Sequence, residues 1–212
     1  MSLTQLLKAH ADRSAAKYPE AIKQIMRNAI NELSESQLTT RALKTGDLFP
    51  KFNLPNAKGE PISSETLLKS GPLIVAFYRG GWCPYCNIVL RALQDELSEF
   101  KSKGAQLVAI SPESPDNSLS TKEKNNLEFE VLTDKDNRFA KSINLAYKLP
   151  ESLVELYTEK FKIDLNSSQN NTNNELPISG TYVIDTSGRI IYHFLEEDYK
   201  LRADPNAILE VL

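Results

Sequence analysis

Residues 71–93, GPLIVAFYRGGWCPYCNIVLRAL, narrow the possible folds more than any other part of the chain. A Gly-Pro turn signal precedes an apolar run from Leu73 to Tyr78, short and β-rich enough to be a strand covered on both faces, as in the middle of a parallel sheet. After RGGWC, the segment from Pro84 to Lys103 places Cys86, Leu90, Leu93, Leu97 and Phe100 on one helical stripe. KSKGA then supplies basic residues and a Gly at the helix end. The same alternation continues downstream. QLVAIS reads as a second buried strand, SPDNSLSTKEKNN as a capped polar helix, FEVLT as a third strand and NRFAKSIN as a short helix. Alternating strands and helices imply a mostly parallel sheet covered by helices, an α/β fold.

The flanks complete the outline. YPEAIKQIMRNAINELSES carries Ile22, Ile25, Met26, Ala29, Ile30 and Leu33 at three-and-four spacing, with Pro19 opening an amphipathic helix. SESQLTTRALKTGD reads as a linker, and LFPKFNLPNAKGEP as short extended pieces. The expected organisation is therefore a helical extension over residues 1–42 and one domain over residues 43–212. Beyond Pro150, Leu153, Leu156, Tyr157 and Phe161 mark another helix, and NSSQNNTNN reads as a loop. GTYVIDTSGRIIYHFL predicts an antiparallel hairpin turning at Asp185 to Gly188, and DPNAILEVL a last helix capped by Asp204.

Composition excludes several classes of function. The 212 residues are 41% apolar and 25% charged, which suits a folded globular chain. A net charge of −3 is too weak a field to gather nucleic acid or an anionic membrane, so neither is expected as a partner. The first residues lack the apolar core of a leader, and no segment approaches the ~20 apolar residues of a membrane helix, so a cytoplasmic location is expected. Two cysteines in a chain this long do not make a disulfide scaffold. Any disulfide here is one that is made and broken.

The chemistry concentrates at those cysteines. Cys83 falls at the strand-to-helix junction with Pro84 starting the helix, where backbone amides without intrahelical partners favour a thiolate. Such placement lowers a thiol pKa from ~8.5 toward ~3.5–7.5, and the thiolate is the nucleophile. Cys86, one turn on and on the apolar stripe, is expected to face inward, keep the higher pKa and resolve the oxidised Cys83 as a disulfide. Gly80 and Gly81 are expected to let the loop turn tightly and leave amides open beside Cys83, with Trp82 shielding the thiol. Arg79 either places a positive charge near the thiolate or is a plain surface residue. The alternatives are two packing thiols, or half of a zinc site completed by His10 and His193, which otherwise read as an exposed residue and an ordinary strand residue. A phosphate cradle lacks both its spacing and its Lys.

GDLFPKFNLPNAKGEPIS, GPLIVAFYRGGWCPYCNIVLRAL, GAQLVAISPESP and GTYVIDTSGRI, in that order, resemble the alkyl hydroperoxide reductase and thiol-specific antioxidant family, in its peroxiredoxin-like branch. The resemblance runs from about residue 43 to the end. It implies a thioredoxin-like fold, with a central mixed sheet flanked by helices. It also implies a thiol peroxidase or reductase that uses no metal or organic cofactor, acts on hydroperoxides, and is recycled by thioredoxin or another dithiol donor. Peroxiredoxins carry Thr three and Pro seven residues before the reactive Cys; here Gly80 and Ala76 stand there, so the hydroxyl that would hold a peroxide oxygen is missing. Where the family carries a cis-Pro or an Arg, three residues before the aromatic of YVID, this chain has Ser179, close to Pro177. Three readings remain open: a thiol peroxidase, a thioredoxin-type protein disulfide reductase, and a redox-sensing module whose N-terminal helix docks a partner or a second copy as a homodimer.

Overall fold

The computed structural model describes residues 1–212. Two long helices come first, α1 (Leu3–Lys17) and α2 (Glu20–Glu35), followed by a single turn, α3 (Leu38–Arg41). β1 (Asn53–Pro55) and β2 (Pro61–Ser63) form a small antiparallel ribbon, and α4 (Ser64–Leu68) leads into β3 (Leu73–Phe77). α5 (Pro84–Asp95) and α6 (Leu97–Ser102) follow the cysteine loop, then β4 (Gln106–Ser111), α7 (Pro115–Lys124), β5 (Glu130–Thr133) and α8 (Arg138–Ser142). β6 (Ala146–Lys148), α9 (Glu151–Leu156), α10 (Leu165–Gln169) and β7 (Glu175–Pro177) make an excursion closed by antiparallel pairing of β6 with β7. β8 (Thr181–Ile184), β9 (Ile190–Phe194) and α11 (Pro205–Val211) end the chain.

The central sheet has the order β5-β4-β3-β8-β9. β3 runs parallel to β4, and β4 to β5, while β8 runs antiparallel to β3 and β9. The fold is thioredoxin-like. Its sheet is mixed because the last two strands are a hairpin, with Gly188 at φ +86 closing the turn under Asp185. All five β3 residues are buried, as a strand covered on both faces requires. Ile74 and Ala76 face the α5 stripe of Cys86, Leu90 and Leu93, whereas Leu73, Val75 and Phe77 face Phe49, Leu132 and Tyr182. The site thus sits at the end of a fully buried central strand.

Several segments differ from expectation. Leu3–Lys17 forms a helix through a capping box, with Gln5 and Ser2 bonding reciprocally, because the S-x-x-Q pattern satisfies two orphan amides. Its Leu3 and Leu7 join the core beside α5. The stretch read as a linker contains α3, which buries Leu38 and Ala42. The helix after Cys83 breaks at Glu96, and the helix from Glu151 widens into a π turn at Tyr157–Phe161. Part of NSSQNNTNN is helical, because the Asp164 carboxylate caps α10 at Ser167 N–H. Ser114 precedes α7 but accepts from Asn117 Nδ2 rather than from the helix backbone. In the N-terminal segment, α2 lays Ala29 against Leu153, Leu156 and Tyr157, with Ile22, Ile25 and Met26 around them. No helix is long and apolar enough to cross a membrane.

Candidate active site

The loop leaves the sheet where Phe77 N–H bonds to Gly180 O (2.8 Å) and Tyr78 N–H to Ile110 O (2.9 Å). Gly80 adopts φ +155, and a Cβ there would lie 2.2 Å from Trp82 Nε1; one on Gly81 would lie 2.0 Å from Thr121 Oγ1. The glycine pair therefore makes room for the Trp82 indole and for α7. Cys83 is the N-cap of α5, and Pro84 occupies the first turn, where its missing N–H costs nothing. Asn87 Nδ2 donates to Gly81 O (2.8 Å) and Cys83 O (3.0 Å), and Asn87 Oδ1 accepts from Asn125 Nδ2 (2.8 Å). One side chain thereby ties the cysteine loop to both α5 and α7. One of the amides expected to stand open is in use: Cys83 N–H bonds to Gly80 O (3.1 Å).

Both thiols are buried, Cys83 at 2% and Cys86 at 1% exposure, and each shifts the titration of the other. Burial opposes ionisation of either sulfur. For Cys86 the proton offered by Cys83, the charges of Arg202 and Arg79 and the Arg79 backbone N–H outweigh burial and hold it well below the ordinary thiol value. Burial and that same donated proton push Cys83 up. The two thiols therefore titrate as a pair, one proton held tightly and the other released more readily. Arg202 assists the release, its guanidinium donating to Cys86 Sγ at 3.8 Å from a segment 116 residues away.

Arg79 is not a surface residue. It is 3% exposed, donates to the Tyr157 hydroxyl, and lies 4.3 Å from the Tyr199 ring centroid and 5.1 Å from that of Trp82. Burial works against its charge, but Tyr157 and the two cysteines outweigh it and keep the guanidinium ionised. No carboxylate pairs with it, and its Nε and Nη1 have no hydrogen-bond partner. Trp82 packs edge-on against Tyr157, with centroids 5.6 Å apart. Cys83, but not Cys86, lines a cavity of about 560 Å³ enclosed by α1, α2, the cysteine loop and the π turn. Access thus distinguishes the two sulfurs.

His10 is half-buried on the same cavity rather than exposed, its ring edge-on to Tyr85 at 4.8 Å, and burial with Arg13 nearby lowers its pKa. His193 meets Thr45 through Nδ1 (2.8 Å to Oγ1) and does not line the cavity. No three His, Cys, Asp or Glu side chains converge in a group that could hold a metal ion. Ser179 is buried beside the start of β8 with its hydroxyl unpartnered, also off the cavity wall, and the nearby Pro177 peptide is trans.

Sequence reasoning missed Glu113, Asn87, Arg202, Tyr157 and Tyr199 as members of the site. Glu113, 3% exposed under the loop, accepts from Ser168 Oγ (3.1 Å), Thr121 Oγ1 (3.3 Å) and Tyr78 Oη (3.4 Å). Burial raises its pKa above the ordinary 4.5 despite these donors. The folded state therefore holds this proton more tightly than the unfolded state, and the stabilisation it confers is lost as pH rises from 4.5 through the raised value. Glu113→Gln is expected to flatten that part of the profile, read as thermal midpoints from pH 4 to 8. A wild-type midpoint that climbs relative to the variant over this interval would reverse the sign.

Comparison with known proteins names the fold's owners. Residues 45–193 match the model of the AhpC/TSA family. The chain belongs to that family. The bcp peroxiredoxin of Buchnera aphidicola is 35% identical over 103 residues, which is 49% of this chain and 65% of the relative. Peroxiredoxin Bcp of Escherichia coli is 33% identical over 96 residues, 45% of this chain and 61% of that protein. The chain thus spans less than two thirds of the length of these relatives. The crystal structure of Peroxidoxin BcpB from Mycobacterium tuberculosis superposes with a TM-score of 0.62 at 21% identity, covering 80% of this chain and 96% of the other. As an AhpC/TSA protein with a thioredoxin-like fold, this chain carries its cysteine pair at the β3–α5 junction, while Arg13, Lys17 and Met26 on the cavity wall lie outside the matched residues.

Proposed function

We propose that the protein is a thiol peroxidase that reduces hydroperoxides through Cys83 and Cys86 and is recycled by a dithiol donor such as thioredoxin. The observation that carries this reading is the placement of the pair: Cys83 lies on the floor of a cavity, and Cys86 is buried one helical turn behind it. Cys83 passes its proton to Cys86 and attacks the terminal oxygen of ROOH. An S–O bond forms, the O–O bond breaks, and the leaving RO⁻ takes the proton from Cys86 to give the alcohol. Cys83 is then a sulfenic acid. Cys86 displaces hydroxide from it, solvent protonates the hydroxide to water, and the disulfide stores the two electrons the peroxide has gained. Arg79 supplies positive charge for the departing oxygen, an electrostatic role in a water-poor site.

Membership of the AhpC/TSA family and the likeness to bcp peroxiredoxins support the peroxidase over the reductase reading. The test uses the reduced protein and one equivalent of hydroperoxide, followed by intact mass. Loss of two hydrogen atoms per peroxide consumed is the expected result. No mass change with any hydroperoxide, together with reduction of insulin disulfides, would establish the reductase instead.

A further inference from the structure

The cavity in front of Cys83 is more elaborate than hydrogen peroxide requires. Four cations line it, Arg13, Lys17, Arg79 and Lys160, and not one Asp or Glu. This occurs in a chain whose net charge is −3. None of the four is engaged in a salt bridge, although eight ion pairs occur elsewhere. Arg79 forms the buried end of the set, with Nε and Nη1 lacking any partner. A guanidinium left without its hydrogen bonds in a buried place is costly unless something accepts them. Arg13, Lys17 and Lys160 are exposed at the rim. Between rim and floor the walls are apolar and aromatic, with Tyr85, Tyr157, Phe161 and Trp82. A volume of about 560 Å³ lies within the ~300–1,000 Å³ typical of small-molecule sites.

We propose that this cavity recognises a small amphipathic carboxylate, whose apolar body lies along the aromatic wall and whose charge meets the cations. The inference rests on the peroxidase reading for its reactive partner, which is either an organic hydroperoxide bearing a carboxylate or a small thiol bearing one. Arg13 and Lys17 belong to α1, outside the residues that match the family, so the selectivity is a property of this chain's own N-terminal helices.

Trp82 is the only tryptophan and lines the cavity, so its fluorescence reports occupancy without any chemistry. Titrating the reduced full-length protein with 3-phenylpropanoate is expected to give a saturable change that its methyl ester does not. The Arg13→Gln/Lys17→Gln/Lys160→Gln variant, altered only at exposed positions, is expected to bind the carboxylate about tenfold more weakly, as loss of several exposed charge contacts implies. Two kinetic arms then identify the source. A carboxylated cumene hydroperoxide compared with cumene hydroperoxide tests the oxidant, and 3-mercaptopropionate compared with 2-mercaptoethanol tests the reductant, with the rate ratio falling in the variant for whichever is the true ligand. Equal response to acid and ester, or unchanged binding in the variant, would overturn the anion site. Saturable carboxylate binding in a protein that no hydroperoxide oxidises would leave the anion site standing and remove the peroxidase reading.

Discussion

Cys83→Ser is expected to abolish peroxide-driven oxidation of the protein, whereas Cys86→Ser is expected to trap Cys83 as a sulfenic acid. The asymmetry follows from access. Cys83 lines the cavity and Cys86 does not. A sulfur that no peroxide can reach serves as the resolving group, and the one on the cavity floor meets the oxidant. In Cys86→Ser the sulfenic acid has no thiol neighbour, so it should accumulate, be captured by a dimedone-type reagent, and go on to the sulfinic acid with excess peroxide. In Cys83→Ser neither product should form. If that variant instead gives a sulfenic acid at Cys86, the roles are exchanged. Mass spectrometry of both variants after a peroxide pulse decides the matter.

Arg79→Met is expected to slow disulfide formation by about 10²-fold, within the range found when one preorganised donor to a developing oxyanion is removed. Two effects act in the same direction. The cation that helps hold a charge on the cysteine pair is gone, so the first proton leaves at higher pH and less thiolate is present at neutrality. The departing oxygen also loses a positive group on the cavity floor, where the Cys83 amide is already bonded to Gly80 O. Met fills the aliphatic volume under Tyr199 and Trp82, and it removes a buried guanidinium with unpartnered nitrogens, so the fold should survive. Lys at this position keeps a charge but not the planar fork, and is expected to recover only part of the rate. Stopped-flow Trp82 fluorescence across pH 5–9 reads both effects: a shifted pH midpoint and a lower plateau. An unchanged plateau would show that Arg79 does not meet the reacting oxygen.

How far the chain could be read in advance varied with the range over which each feature is decided. β3 and the stripe through Cys86, Leu90, Leu93, Leu97 and Phe100 were legible because a buried strand and a one-sided helix each leave a local period in the residues. The placing of Cys83 as N-cap followed from Pro84 for the same reason. α1 was legible in principle through Ser2 and Gln5, but its apolar stripe is thin and only contact with α5 shows that Leu3 and Leu7 belong to the core. β6 and β7, three residues each, carry no period long enough to detect.

The electrostatics of the site had no local signature. The sequence put two sulfurs three residues apart at a helix start, and that spacing alone is enough to let one bond to the other. It could not say that Arg202 reaches Cys86, that Glu113 is buried and accepts from Tyr78 and Ser168, or that Arg79 turns inward against Tyr157 and Tyr199. Those groups lie tens of residues apart along the chain and meet only when sheet and helices close over them. Charge acts through space and is strengthened by burial, so which cations surround the pair and which sulfur can be reached were settled by the packed molecule and not by the order of its residues.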